Sequence, residues 1–548
     1  MSNNRYKWAT PGDVNAFFGL MLDNIAGLVL LVSLLAGFGF PVDFAIAYMV
    51  PGTAIGVLVG DLLFFFLAFW YAKKTGKNNV TAMPLGLDTP STFGMALFVL
   101  GPAFLLATKD GMNANEAAMH TWHIGMCAIL ITGVIKAVLS FFSGWIHRVV
   151  PRAGLLGSLA AIALVLITYG PLTEIALTAP IVGFASLAIV LVTLIGHQRL
   201  PGGVPGALAA VLVGTAIYYG LTGIGDLTET ELVEPIAGLD PIWFPMQWLE
   251  AFRFEWLGKM SETVPYLGFI IPFAVGTVIG GIDCTESAAS VGDEFHTPTV
   301  IGVEAFATLL AAFCGGVIQT TPYIGHPAYK AMGGRAAYTL ATALFIGAAG
   351  LIGYFSIMFA WIPKAAIFPI LIFIGIEITA SSFQVTPKKH YAAIAMACLP
   401  AIAKLVVINI TPFVIALGFQ FEDPHLAKSW LYANVLAGGF IFTSVIWASA
   451  TANIIDRKYA TAGVYLLLGG LFTLFGVMHS PLAGDRMFSV TSLWNRDVFD
   501  EAKIAAVRDF ATAYFIMAVI MFGLWKWAPQ DDAATIGDDQ PAHGADGS

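Results

Sequence analysis

Apolar residues along this chain fall in long blocks and not in the alternation of half-buried strands. Blocks near the ~20 residues that cross a bilayer as a helix occupy 14–37, 44–72, 119–145, 153–172, 180–196, 204–222, 264–290, 298–317, 336–361, 364–383, 390–415, 428–452, 459–478 and 510–527. Two apolar stretches break the pattern, segment 3 (80–107) and segment 10 (318–333), each interrupted by proline, glycine and an ionisable residue. A longer acidic, Trp-containing loop covers 223–262, and within it 245–260 reads as a short interfacial amphipathic helix.

The two interrupted segments match each other. Met83-Pro84-Leu85-Gly86-Leu87-Asp88-Thr89-Pro90 lies against Thr321-Pro322-Tyr323-Ile324-Gly325-His326-Pro327. In each, a proline opens an extended piece, a glycine and an ionisable residue follow, and a second proline suits the first turn of a helix. Interrupted hydrophobic segments at corresponding points of two halves are the sequence pointer to a transporter's binding site. Extended backbone in a membrane must pair with protein, ligand or water. Two short antiparallel strands pairing between two half-helices would meet that need.

Composition sharpens the class. The 548 residues are 58% hydrophobic and 11% charged, against about 25% charged in soluble domains. The chain is an all-α polytopic membrane protein, integral to the lipid bilayer. Lys and Arg in short loops set its orientation. Arg5, Lys7, Lys73, Lys74, Lys77, Arg148, Arg152, Arg199, Lys330, Arg335, Lys388, Lys389, Arg457 and Lys458 share one face if segments 3 and 10 each cross once. Lys109 and Lys364 are exceptions. Both termini are then cytoplasmic, and a bacterial-type inner membrane is expected. Seven crossings precede the long loop, so the second seven start from the opposite face, a 7+7 inverted-repeat transporter fold. Two further spans within 453–527 have no counterpart, and the acidic tail 528–548 reads as disordered. The N-terminal tail 1–13 lacks the order of a cleaved signal. Cys127, Cys284, Cys314 and Cys398 are far apart and lie in apolar blocks, which points to small buried side chains and no metal set or disulfide framework.

Charged side chains at bilayer depth are costly and mark functional candidates. Asp283 and Glu286, three apart near the end of span 8, share a helix face. A carboxylate there could bind a substrate or carry a proton, or could be an acidic helix end in water, as Asp293 and Glu294 read. His326 either caps the half-helix of segment 10 or contacts substrate or proton. Asp88, followed by Thr89-Pro90, is its counterpart and also a good N-cap. Backbone at Gly86, Leu87 and Asp88, and at Thr321, Tyr323 and Gly325, would face the ligand. Asp23 and Asn24 in span 1 belong near the centre, with Asp23 a coupling candidate. Glu304 and Glu377 are lone acids that could be structural. Asp61, Lys136 and Lys404 could pair with acids or snorkel.

The layout of seven plus seven spans with interrupted third and tenth segments resembles the nucleobase/ascorbate transporter (xanthine/uracil permease) family. The fold is shared more distantly with sulfate and bicarbonate transporters. The resemblance lies nearest the hypoxanthine/guanine permease branch and its uncharacterised relatives. It rests on Thr320-Thr321-Pro322-Tyr323-Ile324 followed after eight residues by Gly333-Gly334-Arg335, on Glu286-Ser287-Ala288 with Gly292-Asp293, and on Tyr323 to Pro327, over about residues 14–450. It implies a core domain of spans 1–4 (14–147) and 8–11 (263–362), and a gate domain of spans 5–7 (148–222) and 12–14 (363–452). It also implies a possible homodimer, and a base-binding carboxylate at Glu286 or, less so, Asp283. The family's acid in segment 10 falls here on Gly325, with His326 beside it, which makes a more anionic ligand plausible.

The expected function is a secondary active transporter of a nucleobase-like purine or pyrimidine, by proton or cation (H+ or Na+) symport with alternating access. In it Glu286 binds and couples, with Asp283, His326 and the strand backbone at the substrate and Asp23 in proton coupling. The alternatives are an anion transporter of the same fold, for bicarbonate, a carboxylate or a sulfate-like solute, and a channel. No nucleophile–base pair, phosphate loop or metal cluster stands in a soluble region, so neither an enzyme nor a cofactor is expected, and the net charge of −9 gives no reason for nucleic-acid binding.

Overall fold

The computed structural model describes residues 6–149, 151–196, 198–225, 241–416, 423–482 and 486–527. The tail 528–548 and the centre of the long loop, 226–240, lie outside the described residues. The chain is an all-α polytopic membrane protein whose two halves each carry a short strand at the same place.

The first half comprises α1 (Gly12–Ala36), α2 (Val42–Thr75), β1 (Leu85–Leu87), α3 (Thr89–Lys109), α4 (Ala114–Val149), α5 (Ala153–Thr178), α6 (Pro180–Ile195) and α7 (Gly206–Ile224). The second comprises α8 (Leu267–Ser290), α9 (Thr297–Phe313), β2 (Thr320–Pro322), α10 (His326–Ala331), α11 (Ala337–Leu351), α12 (Phe355–Trp361), α13 (Lys364–Val385), α14 (Tyr391–Ala416), α15 (Pro424–Ala437) and α16 (Phe440–Ile455). Two more helices follow, α17 (Tyr459–Leu474) and α18 (Glu501–Trp527). Helix α2 packs on α9 and α11, and α4 on α8 and α9, while α5 packs on α13, α14 and α16, and α14 on α16.

Two blocks expected as continuous spans are broken. Helices α11 and α12 meet at 87°, and α15 and α16 at 72°. Glycine in the left-handed region makes each turn, Gly353 at φ +93° and Gly439 at φ +64°. A break frees helix carbonyls that a membrane cannot hydrate. Each is met from elsewhere: Phe244 N–H donates to the Ile352 carbonyl (2.8 Å) and His479 N–H to the Gly438 carbonyl (2.7 Å).

The stretch expected as an interfacial helix folds as two 3-10 turns, Gln247–Arg253 and Glu255–Lys259. Leu249, Phe252 and Leu257 are exposed while Trp256 is fully buried, a distribution suited to an interface. All four cysteines are free, and Cys127, Cys284 and Cys314 are buried.

Candidate functional site

The strands β1 and β2 pair antiparallel, Leu85 opposite Pro322, Gly86 opposite Thr321 and Leu87 opposite Thr320. Two more backbone bonds extend the pairing, Asp88 N–H to the Gln319 carbonyl (3.1 Å) and Tyr323 N–H to the Pro84 carbonyl (2.9 Å). Three-residue strands are too short to be stable alone, and side chains from five helices complete them. Asn24 of α1 accepts from Leu87 N–H (3.0 Å) and Asp61 of α2 from Leu85 N–H (3.1 Å). Lys136 of α4 donates to the Thr320 carbonyl (2.8 Å), Cys284 of α8 to that of Pro322 (3.3 Å), and Thr308 Oγ1 of α9 accepts from Thr320 N–H (3.3 Å). Polar residues inside spans 1, 2 and 4 thus serve the strand backbone.

A cavity of about 210 Å³ opens on this pair. On one side lie Leu87, Asp88, Thr89, Asp283, Cys284 and Thr321 to Ile324. Facing them are Leu155, Leu156, Ser158, Leu159 and Ile162 of α5, Glu377 and Ser381 of α13, and Ile441, Phe442 and Val445 of α16. Three carboxylates line the cavity and, among the described residues, no Lys, Arg or His does.

Asp88 caps α3: its Oδ2 accepts from Ser91 N–H and from Gln319 Nε2, each at 3.1 Å. Thr277 of α8 donates to Gln319 Oε1 (3.2 Å). Asp88, Gln319 and Thr277 therefore form a chain across segment 3, segment 10 and span 8. The matching half-helix α10 has no side-chain cap at Gly325.

The expected site residues separate into groups. Asp283, Asp88, Leu87, Thr321 and Tyr323 line the cavity. Gly86 and Gly325 do not; a Cβ on Gly86 would meet Asn24 and Asp23 instead. Asp23 is buried beside the strand, with both carboxylate oxygens lacking a hydrogen-bond partner among the described residues. Glu286, expected at the centre, is exposed and outside the lining, one turn further along α8 than Asp283.

His326 also turns away from the cavity. Its Nε2 lies 3.0 Å from Asp293 Oδ2, which Lys330 Nζ approaches at 2.8 Å and Thr81 N–H at 3.1 Å. His326 and Asp293 are fully buried. Burial pushes the Asp293 carboxyl up, but the bonds from His326 and Lys330 outweigh it and hold it below the usual aspartate range. Asp293, read as an end-of-helix acid, instead ties the loop after α8 to α10. Glu304, read as a lone acid, is paired with Lys136 at 2.6 Å. Sequence reasoning missed Gln319 altogether; the only signal was an amide next to the second strand.

No family model and no curated protein matches this chain. Its fold is similar to many solved structures, three of which follow. The transmembrane domain of a cyanobacterial bicarbonate transporter, BicA, matches at 15% identity and TM-score 0.44, over 72% of this chain and 97% of that one. SLC26A9 matches at 13% and 0.49, over 93% and 91%. The murine SLC26A9 anion transporter in its inward-facing state matches at 15% and 0.43, over 76% and 70%.

None of the three is a nucleobase/ascorbate transporter, and with neither a family model nor a curated protein to support it, the resemblance to that family is corrected. Two of the motifs that carried it have local explanations here. Gly333-Gly334-Arg335 forms a turn against the start of α1, where Thr10 Oγ1 donates to the Gly333 carbonyl (2.5 Å) and Arg335 N–H to Asp13 (2.8 Å). Glu286 of the span 8 motif lies outside the cavity.

Proposed function

We propose that this chain is a secondary transporter that carries a small anion, of the bicarbonate or carboxylate class, together with a cation. The observation that carries the reading is the cavity between the strand pair and the wall of α5, α13 and α16, lined by Asp88, Asp283 and Glu377 and, among the described residues, by no basic side chain. Carboxylates gathered in a low-dielectric site repel an anion until protons or metal cations neutralise them. Once loaded, the cation becomes the anion's partner, and coupling follows from the charge of the site. Movement of α5, α13, α14 and α16 against α2, α4, α8 and α9 would expose the cavity alternately. Asp283 and Asp88 contact the load, Asp23 is the reserve proton site behind β1, and His326 positions α10 through Asp293.

A neutral solute rich in N–H donors, such as a nucleobase, is the second reading, and the same three carboxylates favour it as acceptors. The test is a thermal-shift screen of the purified protein against bicarbonate, sulfate, small carboxylates, purines and pyrimidines, with and without Na+, at acidic and neutral pH. A ligand that binds the folded form raises Tm by linkage. A carboxylate or inorganic anion that raises Tm only with Na+ or at acidic pH supports the proposal. A cation-independent shift by a purine or pyrimidine alone overturns it in favour of the second reading.

A further inference from the structure

We infer that the C-terminal helix pair, α17 and α18, is a brace that fixes the cavity wall helix α16 and thereby sets access to the cavity. The pair stands outside the inverted repeat, yet it is built into one of the repeat's two sharp bends, the break between α15 and α16.

The loop leaving α17 fills that break. A Cβ on Gly439 would lie 2.1 Å from the Val477 carbonyl oxygen and 2.8 Å from Met478 Cα, so the loop backbone sits directly on the hinge glycine. His479 then satisfies the freed carbonyls twice. Its N–H donates to Gly438 (2.7 Å), and its Nδ1 lies 3.1 Å from the Val435 carbonyl. Its Nε2 is 2.9 Å from the Tyr514 hydroxyl of α18, which also lies 2.6 Å from Trp447 Nε1 of α16.

The Val435 carbonyl can only accept, so His479 Nδ1 carries a proton. In the neutral ring Nε2 then accepts from the Tyr514 hydroxyl, whose oxygen accepts from the Trp447 indole N–H. The network is closed with a neutral histidine, and it ties α18 to both sides of the break.

The link to the cavity is one residue long. Phe442 of α16 lines the cavity, and its ring lies 5.5 Å from that of Phe472 of α17 at an interplanar angle of 60°. The same apolar cluster joins Ile446 of α16 to Tyr465 and Leu466 of α17 and to Tyr514 of α18. Helix α16 is thus held on its far side by the added pair while Ile441, Phe442 and Val445 face the cavity. Phe472 and His479 are positioning residues that act through α16.

The inference rests on the proposed role of the cavity, so its test uses a readout that needs no solute. The protein carries a single cysteine at Val445→Cys, with its four native cysteines replaced, and the rate of modification by a small water-soluble thiol reagent is measured. Phe472→Ala is expected to change that rate by roughly two- to tenfold, the range an aromatic contact is worth, and Phe472→Tyr to restore it. If Phe472→Ala does not fold, Phe472→Leu is expected to show a smaller change of the same sign. An unchanged rate in a folded Phe472→Ala or Phe472→Leu protein overturns the brace. Failure of the transport reading shows separately, as a wild-type modification rate that no anion or nucleobase slows.

Discussion

Lys136 Nζ lies 2.6 Å from Glu304 Oε1 with both side chains fully buried, and the same ammonium donates to the Thr320 carbonyl of β2 at 2.8 Å. A buried ion pair costs desolvation and is strongly destabilised when one partner is removed. Here the pair also joins α4 and α9 behind β2, whose other edge pairs with β1. Lys136→Ala is therefore expected to destabilise the protein by about 3–5 kcal/mol, leaving Glu304 charged and unpaired. The double variant Lys136→Met, Glu304→Leu is expected to recover most of that loss. Thermal unfolding in detergent checks both, and equal Tm values for wild type and Lys136→Ala would remove the pair from the account.

Backbone also approaches closely at Gly52 of α2. A Cβ there would lie 2.2 Å from the Cys314 carbonyl oxygen and 2.3 Å from Gly316 N. The Gly315-Gly316 doublet leads into β2, so Gly52→Ala would push the strand out of register. Overpacking costs about 1–3 kcal/mol and more where backbone must move. The expected outcome is reduced Tm together with weakened ligand-induced shifts, measured in the same melting experiment. A substitution at Gly39, where a Cβ meets nothing within 4 Å but φ is +80°, tests backbone strain alone.

Acid pH should act through Asp293. Its carboxyl is held below the usual aspartate range by His326 and Lys330 against the opposing effect of burial. A depressed folded pKa stabilises above the unfolded value of about 3.9 and loses that contribution as pH falls through the folded value. Wild-type Tm should therefore fall more steeply than that of Asp293→Asn below about pH 4, with the two curves parallel between neutral and mildly acidic pH. Tm measured against pH for both proteins checks this, and parallel curves below pH ~4 would show that the carboxyl is not depressed.

Much of the fold was legible because a bilayer permits few solutions. Apolar blocks gave the spans, and the matched proline–glycine–ionisable pattern located both strands, since interrupted backbone in a membrane needs a partner. The breaks at Gly353 and Gly439 were not legible. Each depends on a distant segment, at Phe244 or His479, arriving to take a freed carbonyl. The site was legible in part for the same reason. Asp88 and Asp283 could be placed by position in an interrupted segment or helix. Glu286 could not, because three residues along α8 separate cavity from exposed rim. His326 and Asp293 looked like a ligand contact and a solvated acid, and only tertiary contact shows that they hold each other. The family motifs misled because a turn such as Gly333-Gly334-Arg335 can serve packing alone.

The most direct measurement is uptake of labelled bicarbonate, sulfate, small carboxylates and nucleobases into proteoliposomes under imposed proton and Na+ gradients, for wild type and Asp283→Asn. The account predicts saturable uptake of an anion, driven by an inward cation gradient and lost in a folded Asp283→Asn protein. Non-saturable conductance, or uptake that survives Asp283→Asn unchanged, would contradict it.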